Sequence, residues 1–67
     1  MADRMDQVVV AAVRQGFQVW QTRRGAWVFR RGLVTVTLKA TPQSGREWVQ
    51  ALRALRGAGL DFPEAGE

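Results

Sequence analysis

Apolar and polar residues alternate over much of the segment 17–39, and this alternation predicts three short β-strands. From Val34 to Leu38 every second residue is apolar, which is typical of a strand with one buried face. The dipeptides Arg24-Gly25 and Arg31-Gly32 interrupt the pattern, and Gly accepts the positive φ that a tight hairpin turn requires. The segment therefore predicts a β-meander with one covered face.

The second hairpin of this meander decides which aromatic rings enter the core. A two-residue turn at Arg31-Gly32 pairs Phe29 with Val34 and Trp27 with Val36. Directly opposed side chains point to the same side of a sheet, so both rings share a face with the apolar positions of the third strand. We therefore expect Phe29 and Trp27 to be buried.

The first hairpin has two possible turns. A three-residue turn over 23–25 pairs Val19 with Phe29 and keeps the same face covered. A two-residue turn pairs Trp20 with Phe29 and needs a β-bulge to restore the alternation, so we prefer the three-residue turn. A large exposed ring with β-branched neighbours then remains on the open face, as is typical of an interaction surface. This predicted interaction face consists of Trp20, Val28, Thr35 and Thr37.

A helix is expected before the meander, over residues 3–15, with Asp3 as its N-cap and a left-handed Gly16 at its end. The three consecutive β-branched residues at 8–10 lower the helix propensity, so a strand is the alternative for this segment. The helix interpretation rests on apolar residues that recur at helical spacing. They are Met5, Val8, Val9, Ala12 and Val13.

A second helix is expected after the meander, from capping residues at 41–44 to about residue 56. Gly57 and Gly59 end it, and Leu60 and Phe62 then fold back onto the core. Residues 63–67 form an acidic tail that we expect to be frayed. The predicted buried stripe of this helix is Trp48, Val49, Leu52 and Leu55. Its predicted exposed stripe is Arg46, Gln50 and Arg53.

The predicted order α-β-β-β-α gives an α+β fold with both helices on one face of a three-stranded antiparallel sheet. The chain has 67 residues and forms one domain over residues 1–62, whose small core favours association with a partner or as a homodimer. It contains no Cys and no His, so we expect no disulfide, no metal or other cofactor, and no enzymatic activity. No apolar segment reaches membrane-spanning length, and we expect a cytoplasmic protein that does not bind membranes.

Positive charge dominates the predicted domain. Residues 1–60 carry all 10 basic side chains against Asp3, Asp6 and Glu47, which gives a net charge of +7. The first turn, the end of the third strand and the start of the second helix lie at one end of the sheet, where basic groups can bind phosphates. An ordinary solvated surface is the alternative explanation. The candidate nucleic-acid-binding residues are Arg23, Arg24, Lys39, Arg46 and Arg53.

Three stretches of the chain resemble the HicA family of small toxins, which share the α-β-β-β-α order. They are the helix running into Gly16-Phe17, the step Arg24-Gly25-Ala26-Trp27 and the ending Leu55-Arg56-Gly57-Ala58-Gly59-Leu60. HicA proteins carry a Lys-Gly-Ser-His-like sequence at the second stretch, and their ribonuclease activity is associated with its His. Trp27 occupies the matching position, so the resemblance implies a non-catalytic RNA-binding relative. It also implies that this position is exposed, whereas the register above buries Trp27.

The same order of elements is similar to that of the double-stranded RNA-binding domain. The basic cluster of that family at the start of its last helix is represented here by Arg46, and its loop His is missing. Only the topology is therefore shared.

Three functions follow from these observations. We expect a non-catalytic module that binds nucleic acid, RNA in preference to DNA. The alternative is a small regulatory protein, of the type that toxin-antitoxin loci or mobile elements encode, which docks an acidic protein through its basic surface and open sheet face. A ribonuclease that works without His ranks third, because Arg, Lys and Thr provide no general base near neutral pH.

Overall fold

The computed structural model describes residues 4–62, and it contains two helices and one sheet. The three strands pair antiparallel in the order β1-β2-β3, so the predicted α+β fold and its α-β-β-β-α order are confirmed. The proposed Asp3 cap and the tail at 63–67 lie outside the described residues. The elements are α1 (Arg4–Arg14), β1 (Gln18–Gln21), β2 (Trp27–Arg31), β3 (Val34–Leu38) and α2 (Gly45–Gly57).

Both helices cover the same face of the sheet. Phe29, at the centre of the middle strand, is 0% exposed, because it packs in one cluster with Val8 of α1 and Leu55 of α2. Trp27, Val36 and other residues that alternate with the open face pack against this cluster. The buried members are Met5, Val8, Ala12, Phe17, Phe29, Leu55 and Leu60.

The predicted buried stripes of the helices are each wrong at one edge. In α1, Val13 is exposed and Ala11 is buried instead. In α2, Val49 is exposed, and the buried residues are Ala51 and Leu55. Successive residues lie about 100° apart around a helix, so a stripe of five apolar positions is wider than the contact with the sheet. In both helices, the side that packs in the core carries small Ala residues.

Two further residues of the predicted α2 stripe, Trp48 and Leu52, are half-buried and pack against the core. The predicted exposed residues of this helix are confirmed as exposed. The cap at its N-terminus is also confirmed, because the Ser44 side chain accepts a hydrogen bond from the Glu47 backbone N–H at 3.2 Å. The bond to Ser44 satisfies one of the donors that a helix start leaves free. The Glu47 carboxylate in turn accepts from the Gln43 backbone N–H at 3.1 Å, which holds the residue before the cap.

The first hairpin has the preferred register. Val19 pairs with Phe29 and Trp20 pairs with Val28. The Thr22 backbone N–H donates to the Ala26 carbonyl oxygen at 2.7 Å, which closes the three-residue turn. No bulge is needed, so the odd-numbered residues of β1 and β2 lie on the covered face together.

In the second hairpin the turn lies one residue later than predicted, which shifts the pairing of β2 with β3 by two residues. Arg31 pairs with Val34 and Phe29 with Val36, so the turn residues are Gly32 and Leu33. Gly32 has a φ of 60°, and a type II′ turn places Gly at its first central position. The predicted pairs of Phe29 with Val34 and of Trp27 with Val36 are therefore wrong. The faces are unchanged, because a shift by two preserves the side to which every side chain points.

Trp27 lies on the covered face, where it is half-buried. Its indole Nε1–H donates to the Thr41 side-chain oxygen at 2.8 Å, so the polar atom of the ring is satisfied by the loop before α2. The side on which Trp27 lies is the one that the strand alternation predicts, and it differs from the exposed position that the HicA resemblance implies.

Arg31 ends β2, and its side chain lies between the C-terminal ends of both helices. Its guanidinium carbon is 4.5 Å from the centroid of the Phe17 ring. The guanidinium donates to the Gln15 carbonyl oxygen just after α1 at 3.2 Å and to the Ala58 carbonyl oxygen at the end of α2 at 3.4 Å. Helix ends leave carbonyls unpaired and carry partial negative charge, so a cation stabilises both ends at once.

Leu60 and Phe62 fold back onto the core, as predicted, and side-chain hydrogen bonds also tie this segment to the residue after α1. Leu60 is buried in the core. The Gln15 side-chain amide donates to the Asp61 carbonyl and accepts from the Asp61 backbone N–H, each at 2.8 Å. Arg56 donates to the Phe62 carbonyl through Nε at 2.8 Å and through a terminal nitrogen. These bonds fix the chain as far as the last described residue.

The substitution Phe29→Ala should unfold the domain. Removal of a fully buried Phe costs about 3 to 5 kcal/mol, which approaches the whole stability of a domain of this size. Val13→Ala, at an exposed position of α1, should leave the free energy of unfolding within about 0.5 kcal/mol of wild type. Urea denaturation followed by circular dichroism measures both, and a folded Phe29→Ala protein of near wild-type stability would contradict the core described here.

The substitution Arg31→Met should lower the free energy of unfolding by about 1 to 3 kcal/mol, because it removes hydrogen bonds from a charged donor to two helix ends. Methionine retains an apolar side chain beside the Phe17 ring. The neighbouring substitution Arg30→Met is the matched control and should have little effect, since Arg30 is exposed on the other face. Equal denaturation midpoints for the two variants would show that Arg31 does not join the helices.

Candidate nucleic-acid interface

The face of the sheet opposite the helices has two rows of side chains across its three strands. Trp20 of β1, Val28 of β2 and Thr37 of β3 form one row. Gln18, Arg30 and Thr35 form the other. We call these six residues the open face. Of the predicted interaction face, the structure therefore brings all four residues onto one surface.

Trp20 supplies most of the exposed apolar surface of the open face. It is 44% exposed, whereas Val28 beside it is only 9% exposed. The expectation that Val28 contacts solvent is therefore wrong, and the reason is its place on the central strand between Trp20 and Thr37. Thr35 and Thr37 are exposed. The open face thus consists of one accessible ring within a polar surface.

Arg30 also belongs to this surface, although it is not among the predicted site residues. In the observed ladder Arg30 lies opposite Thr35, on the face that carries Trp20. The predicted register gives it a different partner but the same face, because a shift by two preserves the side to which each side chain points. Trp20 and Arg30 are diagonal neighbours on adjacent strands, and residues in this relation lie about 7 to 8 Å apart. The signal that could have found it is the strand alternation, because Arg30 follows the buried Phe29 directly and therefore points to the opposite face.

The predicted basic cluster is only partly assembled. Arg23 and Arg24 occupy the turn between β1 and β2, and Lys39 follows the end of β3 at the same end of the sheet. Arg46 is in the first turn of α2, which the chain enters from that end. All four are exposed.

Arg53 lies apart from this group. It is seven residues beyond Arg46, or about 10 Å along the helix axis, and it lines a shallow surface depression with Val49, Leu52 and Arg56. Because α2 covers the opposite side of the sheet, Arg53 cannot share a contact surface with Trp20. A strand of nucleic acid on the open face therefore reaches Arg23 and Arg24 but not Arg53.

Negative charge is absent from the strands. The described carboxylates are Asp6 in α1, Glu47 in the cap of α2 and Asp61 after α2. The open face and the adjoining turn together carry Arg23, Arg24 and Arg30. This surface attracts anions, and its hydroxyl and amide groups can form hydrogen bonds with a polar ligand.

No group of three or more metal-ligating side chains occurs among the described residues. Within the same part of the chain, no helix has the length and apolar character needed to span a membrane. The chain matches no protein family, no characterised protein and no solved structure at a significant level. The chemistry of the open face is therefore the basis on which a function can be argued.

Proposed function

We propose that this protein binds single-stranded nucleic acid, RNA in preference to DNA, on the open face of its sheet. The observation that carries the proposal is the exposed ring of Trp20 beside Arg30 on a face without carboxylates. Aromatic rings on sheets stack with unpaired bases, and neighbouring basic groups bind the phosphates. No catalytic step is part of this function.

Several features favour RNA as the ligand. The exposed hydroxyls of Thr35 and Thr37 lie on the same face as Trp20, where they can bond to a ribose 2′-hydroxyl, the group that DNA lacks. The resemblance to HicA toxins adds RNA as the expected ligand and a toxin-antitoxin locus as the setting. Since the His of that family is replaced by Trp27, we propose binding without cleavage, in the cytoplasm.

In this proposal, basic side chains attract the phosphate backbone of the ligand to the surface. Arg23 and Arg24 project from the turn that directly follows the strand of Trp20, so a backbone leaving the ring meets two cations. Lys39 and Arg46 extend the positive charge at that end of the sheet. Binding to such a surface releases counterions and weakens with salt.

The substitution Trp20→Ala should weaken binding of a fluorescein-labelled single-stranded RNA by a factor of about 5 to 150, since stacking contributes about 1 to 3 kcal/mol per base. Fluorescence anisotropy at about 0.15 M salt measures the affinity. Val49→Ala removes exposed apolar surface from α2 on the other side of the molecule, and its affinity should equal that of wild type. Single-stranded DNA and duplex RNA of the same sequence should bind less tightly than the single-stranded RNA.

If no RNA or DNA complex forms at this salt concentration, the nucleic-acid proposal fails. The partner-protein alternative would then be supported by capture of an acidic protein that added nucleic acid does not displace. The Trp20→Ala variant should fail to capture that protein. An equal loss of RNA binding in Trp20→Ala and Val49→Ala would also contradict the placement of the ligand on the open face.

Replacing Arg23 and Arg24 together with Ala should flatten the dependence of the logarithm of the binding constant on the logarithm of salt concentration. The expected change in slope is about 1.4, at about 0.7 per phosphate contact on a single strand. The matched control replaces Arg4 and Arg14 of α1 with Ala, which removes the same charge on the helix side of the sheet. Equal slopes for the two double variants would show that only the net charge matters.

A further inference from the structure

We propose that β3 pairs with β3 of a second copy of this chain, antiparallel about a two-fold axis through Val36. The interface is the free edge of the sheet and not the open face. This proposal does not depend on nucleic acid, and its test uses the protein alone.

The outer edge of β3 is unpaired and unprotected. Within the described residues β3 bonds to β2 on one side, and no strand lies on the other. Proteins commonly protect such an edge with Lys, Pro, a β-bulge or a very short strand. Between Val34 and Leu38 there is no charge, no Pro and no Gly, and the pairing with β2 runs without a bulge. These properties favour addition of another strand.

The backbone groups that face outward belong to Thr35 and Thr37. In an antiparallel hairpin closed by a two-residue turn, the residues that flank the turn form a hydrogen-bonded pair, and bonded positions then alternate. Val34, Val36 and Leu38 therefore bond to β2, which leaves the N–H and C=O of the two Thr residues for a neighbour. No described residue outside the sheet bonds to them.

The sequence of β3 is self-complementary about Val36. An antiparallel pair centred there sets Val34 against Leu38, Thr35 against Thr37 and Val36 against itself. Apolar side chains meet apolar ones on the helix side, and Thr meets Thr on the open side, both favourable cross-strand pairs. No like charges oppose each other, because Lys39 falls opposite Leu33.

The groove next to this edge accepts the second copy. It lies between β3 and α2, encloses about 340 Å³ and is lined in part by Leu38, Gln50 and Ala51. In the paired arrangement, Val34 of the second copy arrives beside Leu38 at the mouth of the groove. Val34 is 44% exposed, so pairing removes apolar surface from water at both ends of the interface.

Of the two free edges of the sheet, the edge of β3 is the better suited to pairing. The other free edge is less suited, since β1 has four residues, begins and ends with exposed Gln and continues into Arg23 and Arg24.

A single engineered cysteine tests both the interface and its register. The chain has no Cys, so Val36→Cys introduces the only thiol. In the proposed pair the two Cα atoms at this position are about 4.5 Å apart, within the range of a disulfide. We expect mild oxidation to give a covalent dimer of twice 7.5 kDa on a non-reducing gel. Val34→Cys is the control, because its two thiols would be about 13 Å apart although the position is more exposed.

Sedimentation of cysteine-free protein provides the second arm. Thr37→Lys sets a cation beside Thr35 of the second copy and should weaken dimerisation at least tenfold. Gln18→Lys adds the same charge to an exposed site on the outer strand β1 and should leave dimerisation unchanged. Circular dichroism of both variants confirms that the monomer folds.

Three results would overturn the proposal. The first is a wild-type protein that remains monomeric from micromolar to millimolar concentration. The second is a covalent dimer that forms as readily through Val34→Cys as through Val36→Cys. The third is a dimer that Trp20→Ala or Gln18→Lys dissociates as readily as Thr37→Lys does, since that interface would be the open face.

Discussion

The position of one guanidinium determines how the two layers of this protein fit together. Arg31 ends the central strand, and the C-terminal ends of α1 and α2 both direct carbonyl oxygens at it. The Phe17 ring supplies a third contact through its π-face. Two helix ends that converge in this way would repel each other without a cation between them.

This arrangement separates the roles of two adjacent arginines. A strand directs successive side chains to opposite faces, so Arg31 enters the helix layer and Arg30 reaches solvent on the open face. The helices cover one side of the sheet, and on the other side Trp20 has Val28 and polar residues as its neighbours. The adjacent residues Arg30 and Arg31 thus belong to the basic surface and to the helix layer, respectively. A shift of one residue in register would exchange their positions.

The parts of the fold that depend on the periodicity of apolar and polar residues were predictable from the sequence. Each strand was found, and the strand rings Trp20, Trp27 and Phe29 were assigned to their proper sides despite an error of two residues in the register of the second hairpin. Val13 and Val49 were misplaced because an apolar stripe can be wider than the surface it packs on. The role of Arg31 could not be predicted, since it depends on two helix ends that are distant in sequence and meet only in the folded chain.

The two proposed contacts use different parts of the sheet and are compatible. A ligand on the open face contacts the side chains of Trp20 and Arg30, whereas strand addition uses the outward backbone of Thr35 and Thr37. A dimer joined at β3 would have one continuous sheet of six strands, with both open faces on the same side. Two rings and two basic turns would then lie along one surface. A nucleic-acid strand long enough to contact both would bind more tightly than one that reaches a single copy, because the second contact forms at high effective concentration.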